Sequence, residues 1–361
     1  MSGYSPKIGK IDGIDIELHW TFLLLLVVIL VLSLYLFVVW LLLFACVLVH
    51  ELFHSITSKR NGIKVKKIVL YPFGGGSMID FENVSPEIEF RISLVGPIAS
   101  LLIAALFGIL NIYTPSGIIG TTVQILFLLN IFLGVFNLLP WLPLDGGRAL
   151  RSYLQKTKNF LDATKAAVKS SNVVTVLFVA GTVLYVVFVH GYSVLYKEFI
   201  VLWDVAIAFF IYSGAKAELQ SAYIKQNISD LKAQDAMTKN YVVAKMTSDT
   251  SDLYDILTKS STNIILFKNG RNVEALSNSS LQRLLKTQPH GTTGSFGTKI
   301  PSVQYNTSLY SAIERMRSAE SNMAAVTKHG RICGVLLMQH VESIVALHIS
   351  RNGAAIKQTN K

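Results

Sequence analysis

The sequence predicts a polytopic α-helical membrane protein, with six transmembrane helices and a small membrane-associated β-sheet, followed by a soluble α/β domain. Three observations lead there. Leu18–Val49 is an apolar stretch without a single Asp, Glu, Lys or Arg. Only 15% of the 361 residues are charged, against about 25% in an ordinary soluble domain, and the deficit is concentrated before residue 215. Beyond it the composition turns soluble and an internal repeat begins. A membrane domain over 1–217 and a second domain over 218–361 are therefore expected.

A spanning helix needs about 20 apolar residues. Leu18–Ser58 then holds two spans, broken near Ser33–Tyr35, although no Gly or Pro marks the break. Further apolar segments follow at Phe90–Tyr113, Ile118–Leu139, Val168–His190 and Phe199–Ser213. Leu18–Val49 is too long for a signal-peptide core and has no small-residue cleavage site, so it is expected to be retained. His19 and Trp20 at its entrance read as interfacial anchors.

The net charge of +11 would suit nucleic acid, but its distribution does not. Lys59, Arg60, Lys64, Lys66 and Lys67 follow the second span; Arg148, Arg151, Lys156, Lys158, Lys165 and Lys169 cluster between later ones. The loop around Asn111–Thr122 carries no charge. This is the positive-inside pattern of a protein in a lipid bilayer. With six spans both termini share one side, expected to be the cytoplasmic face of a cell membrane. Cys46 and Cys333 fall in different domains, so no disulfide framework is implied.

His50-Glu51-Leu52-Phe53-His54 closes the long apolar stretch. HExxH puts two imidazoles one helical turn apart on one face, where both can bind a zinc ion. Glu51 between them is placed as the general base of a hydrolase. Such residues against hydrocarbon carry a solvation cost and persist for a reason. Catalytic zinc takes three protein ligands and leaves a fourth position open. The best third candidate is Asp145, in Asn137-Leu-Leu-Pro140-Trp-Leu-Pro143-Leu-Asp145-Gly146-Gly147-Arg148. Two prolines and two glycines break the fourth span there. Irregular backbone at membrane depth survives only inside protein or beside a water-filled cavity, so a carboxylate at the break should face a cation. The alternative is Asp145 as N-cap of a helix beginning near Arg148.

Other residues carry weaker signals. Cys46, one turn before His50, reads as a small packing residue, with approach to the metal as the alternative. Asp204 within the sixth apolar segment is either an intramembrane functional carboxylate or part of a first helical turn near the interface. Ile63–Ile79 reads as strand with Gly74–Gly76 as a turn, and its place beside the metal helix suggests an edge strand.

HELFH together with NLLPWLPLDGG resembles the site-2 protease family of intramembrane zinc metalloproteases, over about residues 8–215. Ser93–Pro97 at the start of the third span adds to the resemblance. It implies one catalytic zinc held by His50, His54 and Asp145, with Glu51 as catalytic base. It also implies that Asn137 and Pro140 shape the site, Asn137 facing the substrate or its oxyanion. The activity implied is hydrolysis of peptide bonds in or near transmembrane segments of membrane-protein substrates. Two rivals are a regulated transporter or channel with a non-catalytic metal site, in which Glu51 has no ligand role, and a scaffold without chemistry.

The repeat in the second domain runs Leu253-Tyr254 and Leu309-Tyr310, then Lys268-Asn-Gly270-Arg271 and Lys328-His-Gly330-Arg331. In each copy a helix is expected before the strands Asn263–Lys268 or Met323–Lys328 and Arg271–Ser277 or Ile332–Met338, with another helix after them. The pattern resembles a tandem pair of CBS (cystathionine-β-synthase) modules, entered at Asp235-Ala-Met-Thr238. That implies adenine nucleotide as a ligand and a homodimer through the CBS domains. The ribose-contacting pattern has Ser/Thr followed three residues later by Asp. Here Ser277 is followed by Ser280, and Leu337 by His340, so a dimerisation or structural role stands beside ligand sensing.

Overall fold

The computed structural model describes residues 5–63, 65–72, 74–79, 84–188, 193–244, 253, 264–269, 272–277 and 297–359. The chain divides into two compact units, Met1–Ala222 and Tyr223–Lys361.

The first unit opens on a hairpin, β1 (Lys7–Ile11) and β2 (Ile14–Leu18). Asp12 and Gly13 both take positive φ at its turn, 48° and 81°, as a two-residue hairpin of right-handed twist requires. Next come α1 (Trp20–Leu32) and α2 (Leu34–Arg60). Ser33 between them is extended, and its hydroxyl accepts from the Leu36 amide at 3.3 Å. The expected break is thus made by a serine N-cap, with no need for Gly or Pro. β3 (Val65–Tyr71) pairs parallel to β2, and β4 (Gly74–Ile79) pairs antiparallel to β3, in the order β1-β2-β3-β4. Because β2 feeds α1 and α2 feeds β3, this sheet holds the start of α1 and the end of α2 on one side of the apolar layer. Ile14, Ile68 and Leu70 of the sheet pack with Phe22, Phe44 and Val47 of the two helices.

One expectation needs correction. Gly74–Gly76 is strand, with Gly75 opposite Leu70 and Gly74 opposite Tyr71. Five helices among the described residues are long and apolar enough to cross a membrane, where six were expected. The exception, α1, has 13 residues, about 20 Å of helix, against a hydrocarbon core of about 30 Å.

The remaining helices are α3 (Pro86–Tyr113), α4 (Ile118–Leu138), α5 (Asp145–Leu154), α6 (Phe160–Phe188) and α7 (Val194–Asn227). Their outward faces carry exposed Leu106, Ile112, Phe132, Leu177, Phe188 and Phe209, which fits contact with lipid rather than water. His190 lies outside the described residues.

The second unit contains α8 (Ala233–Ala236), β5 (Val242–Ala244), β6 (Ile264–Asn269), β7 (Asn272–Ser277), β8 (Thr298–Ile300) and β9 (Ser302–Gln304). It continues with α9 (Leu309–Ser318), β10 (Met323–Lys328), β11 (Arg331–Leu337) and α10 (Met338–Thr359). The repeat is visible in the pairing. β5 lies parallel to β6 with Val242 opposite Ile265, and β9 lies parallel to β10 with Ser302 opposite Ala325. Each of β6 and β10 then forms an antiparallel hairpin with the next strand. Ile264, Leu266, Val273 and Ala275 of one copy share a core with Ala325 and Val335 of the other. In the second copy α9 precedes the hairpin and α10 follows it, as expected. The segments expected as the first-copy helices, and Tyr254, Gly270, Arg271 and Ser280, lie outside the described residues.

Candidate metal centre

Helix α2 places His50 and His54 one turn apart, and both are buried, at 5% and 6% exposure. Asp145 comes from the far side of the chain break expected in the fourth apolar segment. It is the first residue of α5, and Leu144 takes the N-cap position, so the capping alternative does not apply. Asp145 Oδ2 lies 3.2 Å from Nε2 of both His50 and His54, and the two Nε2 atoms are 3.1 Å apart.

The break itself is tied down by α6. Trp141 and Leu142 are fully buried. The Leu142 amide donates to Ser171 Oγ at 2.7 Å, the Ser170 hydroxyl donates to the Pro140 carbonyl at 3.1 Å, and Trp141 Nε1 donates to Thr175 Oγ1 at 2.9 Å. Irregular backbone at this depth therefore finds partners inside the protein, as lipid would not provide them.

Helix α3 orients the histidines. His54 Nδ1 donates to the Ile92 carbonyl at 2.7 Å. A carbonyl only accepts, so the proton sits on Nδ1 and the Nε2 lone pair points at the cluster. His50 Nδ1 lies 2.9 Å from Ser100 Oγ. Gly96, between Ile92 and Ser100, faces both rings: a Cβ there would overlap His54 Nε2 and stand 2.7 Å from His50 Nε2.

This donor set fits zinc. Three acceptor atoms crowd together, and one shared proton can bridge only one of the three contacts at a time. A divalent cation satisfies all three together. The observed separations are close to the ligand–ligand edges of about 3.3–3.5 Å expected for tetrahedral zinc with bonds of about 2.0–2.2 Å. Among the described residues, His50, His54 and Asp145 form the one group of three or more His, Cys, Asp or Glu able to hold a metal ion.

Glu51 follows His50 on α2 and lies against β4: a Cβ on Gly75 would overlap Glu51 Cγ and stand 2.9 Å from its Cδ. The glycine run expected as a turn thus provides room for the Glu51 side chain beside the sheet. The Asn137 amide donates to the Leu133 carbonyl of its own helix at 2.9 Å. Cys46 is buried one turn from His50 but is outside the metal cluster. His19 caps α1 through Thr21 and stacks at a tilt on Tyr71, ring centroids 5.1 Å apart. Asp204 lies along α7, buried at 8% exposure, also outside the cluster.

Sequence reasoning gave Ile92 and Ser100 no role and took Gly96 only as part of the Ser93–Pro97 resemblance, since a carbonyl and a lone serine leave no motif. It also read Arg148 and Arg151 only as part of a basic cluster that marks membrane topology. Arg151 is 6% exposed and paired with Glu89 of α3, and both arginines reach Glu218 of α7.

Comparison with known proteins finds both a family and relatives. The family model described as Peptidase family M50 matches residues 38–116 and 108–181. A zinc metalloprotease of Methanocaldococcus jannaschii is 36% identical over 265 residues, covering 71% of this chain and 73% of that protein. The solved site-2 protease of the same organism is 37% identical and covers 60% of this chain and 95% of its own, with a TM-score of 0.44. A CBS domain protein of Pyrobaculum aerophilum complexed with AMP covers 30% of this chain and 89% of its own, at 16% identity and a TM-score of 0.27. The apolar helices, the His-His-Asp cluster and the relationship to the Methanocaldococcus enzyme together place this chain in Peptidase family M50, as a membrane-embedded zinc metalloprotease.

Proposed function

We propose that the chain hydrolyses peptide bonds in or beside transmembrane segments of other membrane proteins, with His50, His54 and Asp145 as metal ligands and Glu51 as general base. The observation that carries this reading is the three-atom donor cluster directly beside Glu51, on a helix set among membrane-spanning helices. Zinc held there would supply Lewis acidity, acidifying water and polarising a peptide carbonyl.

The chain's own residues do the rest. The Ile92 carbonyl holds His54 in the tautomer that ligation needs, and Ser100 holds the orientation of the His50 ring. Glu51 takes the proton of the attacking water and returns it to the leaving amine. Asn137 gives one amide hydrogen to Leu133, and its second is the proposed donor to a substrate carbonyl.

A peptide bond inside a transmembrane helix is shielded by the helix itself, and unwinding it in lipid costs several kcal/mol per unpaired backbone group. Strand β4 ends the sheet order and runs beside Glu51. Adding the unwound substrate as a further strand to this edge would replace the lost hydrogen bonds. The side carrying the sheet, α5 and the second unit is assigned to the cytoplasm of a cell membrane on the basic residues that follow α2 and the break. The second unit is read as a CBS pair on its repeated parallel-strand and hairpin pairing. Adenine nucleotide binding and homodimerisation are its proposed roles.

The deciding experiment is cleavage of a single-span substrate in detergent by the native chain and by Glu51→Gln at equal zinc content. Cleavage by the native chain alone supports the reading. Equal cleavage by both removes Glu51 as the base.

A further inference from the structure

The Asp145 carboxylate is presented by a short segment, and one face of α7 touches that segment on both sides of it. Two residues before Asp145, Pro143 packs on Gly214, where a Cβ would stand 2.6 Å from Pro143 Cγ. Leu142 packs with Ala215. Three residues after Asp145, Arg148 Nη2 lies 3.1 Å from Glu218 Oε1, and Arg151 Nη1 lies 2.8 Å from Glu218 Oε2. Gly214 and Glu218 are one turn apart, so these contacts share a single face of α7.

The grip continues beyond α7. Arg151 gives its other terminal nitrogen to Glu89 of α3, and Gln155 Nε2 reaches the second Glu89 oxygen at 3.4 Å. Helix α3 is the element that orients His50 and His54 through Ser100 and Ile92. Arg151 therefore joins the helix that orients the two histidines to the helix that carries the aspartate, and Glu218 ties both arginines to α7. Arg151 and Glu89 are both more than nine-tenths buried. Breaking one partner of such a pair leaves an uncompensated buried charge, so the segment would move to find a new partner.

We infer that α7, through Gly214 and Glu218, is the positioning element that sets the Asp145 carboxylate against the two histidines and so sets the affinity of the metal centre. This rests on the ligand assignment proposed above. Helix α7 runs unbroken from this face to Asn227, past the boundary of the second unit at Tyr223. The helix that holds the third ligand is thus also the covalent link to the second unit.

The test uses the full-length, zinc-loaded protein in detergent, titrated with a zinc chelator. Partners that orient metal ligands typically contribute about 10- to 100-fold in affinity. Glu218→Gln and Arg148→Met are expected to release zinc at about tenfold lower chelator concentration. Arg148→Lys keeps a single bond to Glu218 and is expected to stay near the native value. Arg151→Lys cannot serve Glu89 and Glu218 together and is expected to fall with the losses. Gly214→Ala, which pushes Pro143 by a different route, covers the case in which a charge variant fails to fold. Native-like zinc release by Glu218→Gln and Gly214→Ala, with only the unfolding temperature lowered, would reduce the grip to plain structure and overturn the inference. Asp145→Asn and His54→Ala serve as a separate check. Native affinity in those two would sink the ligand assignment itself, whatever α7 does.

Discussion

Gly96 of α3 and His54 of α2 are so close that a Cβ on Gly96 would overlap His54 Nε2, the atom that points into the donor cluster. The same Cβ would stand 2.7 Å from His50 Nε2. Bound zinc needs each ligand nitrogen held at about 2.0–2.1 Å, and a methyl group at Gly96 would push both nitrogens out of place. Gly96→Ala is expected to lower zinc affinity about 10- to 100-fold. Metal content per chain under chelator competition, measured beside thermal unfolding, checks this. A zinc-replete Gly96→Ala protein would show that α3 can retreat from the site.

Gly75 separates binding from chemistry. It lies against Glu51, and a Cβ there would displace the Glu51 side chain without approaching any ligand atom among its nearest neighbours. Misplacing a reacting group by about 1 Å can cost about 10²-fold in rate. Gly75→Ala is therefore expected to lower kcat by about 10- to 100-fold with zinc content unchanged. Equal loss of zinc and activity would mean that the strand supports the metal rather than the base.

The proposed ligands could be picked out in the sequence because zinc chemistry constrains spacing within one helix. His50, Glu51 and His54 are fixed by a turn of α2, and Asp145 stands out as a carboxylate at a helix break. The orienting groups were not legible, because Ile92 acts through its backbone and Gly96 through the absence of a side chain. Gly74–Gly76 misled for a related reason. Glycine usually signals a turn, yet here the strand needs it to accommodate Glu51. The end of α1 was legible, since the break expected near Ser33–Tyr35 falls at the Ser33 cap. Arg148 and Arg151 looked like topology signals because their carboxylate partners, Glu89 and Glu218, are remote in sequence.

Ser100 offers a graded test of orientation. Its hydroxyl lies 2.9 Å from His50 Nδ1, and Ser100 is fully buried. Ser100→Ala leaves that ring nitrogen without its partner and lets the imidazole turn. Zinc affinity is expected to fall about tenfold, measured by chelator competition. The partner of His54 is a backbone carbonyl that substitution cannot remove. Loss at Ser100 should therefore be partial, with one imidazole still held.

The break before Asp145 should depend on α6 more than on its own residues. Leu142 is fully buried, and its amide donates to Ser171 Oγ at 2.7 Å. Ser171→Ala leaves that amide without a partner, at a cost of about 1–3 kcal/mol in stability. Thr175→Val similarly strands the indole N–H of Trp141, which donates to Thr175 Oγ1 at 2.9 Å. The two changes differ in their distance from the metal centre. Leu142 is three residues from Asp145, and its displacement is expected to weaken zinc binding as well as stability. Trp141 turns its ring towards Phe136 and Phe178, so Thr175→Val should lower stability with zinc affinity held near native. Unfolding in detergent, read beside chelator competition on the same samples, separates the two. Identical zinc affinities in both variants would mean that the loop backbone does not set the Asp145 position, leaving that to the ion pairs of Arg148 and Arg151.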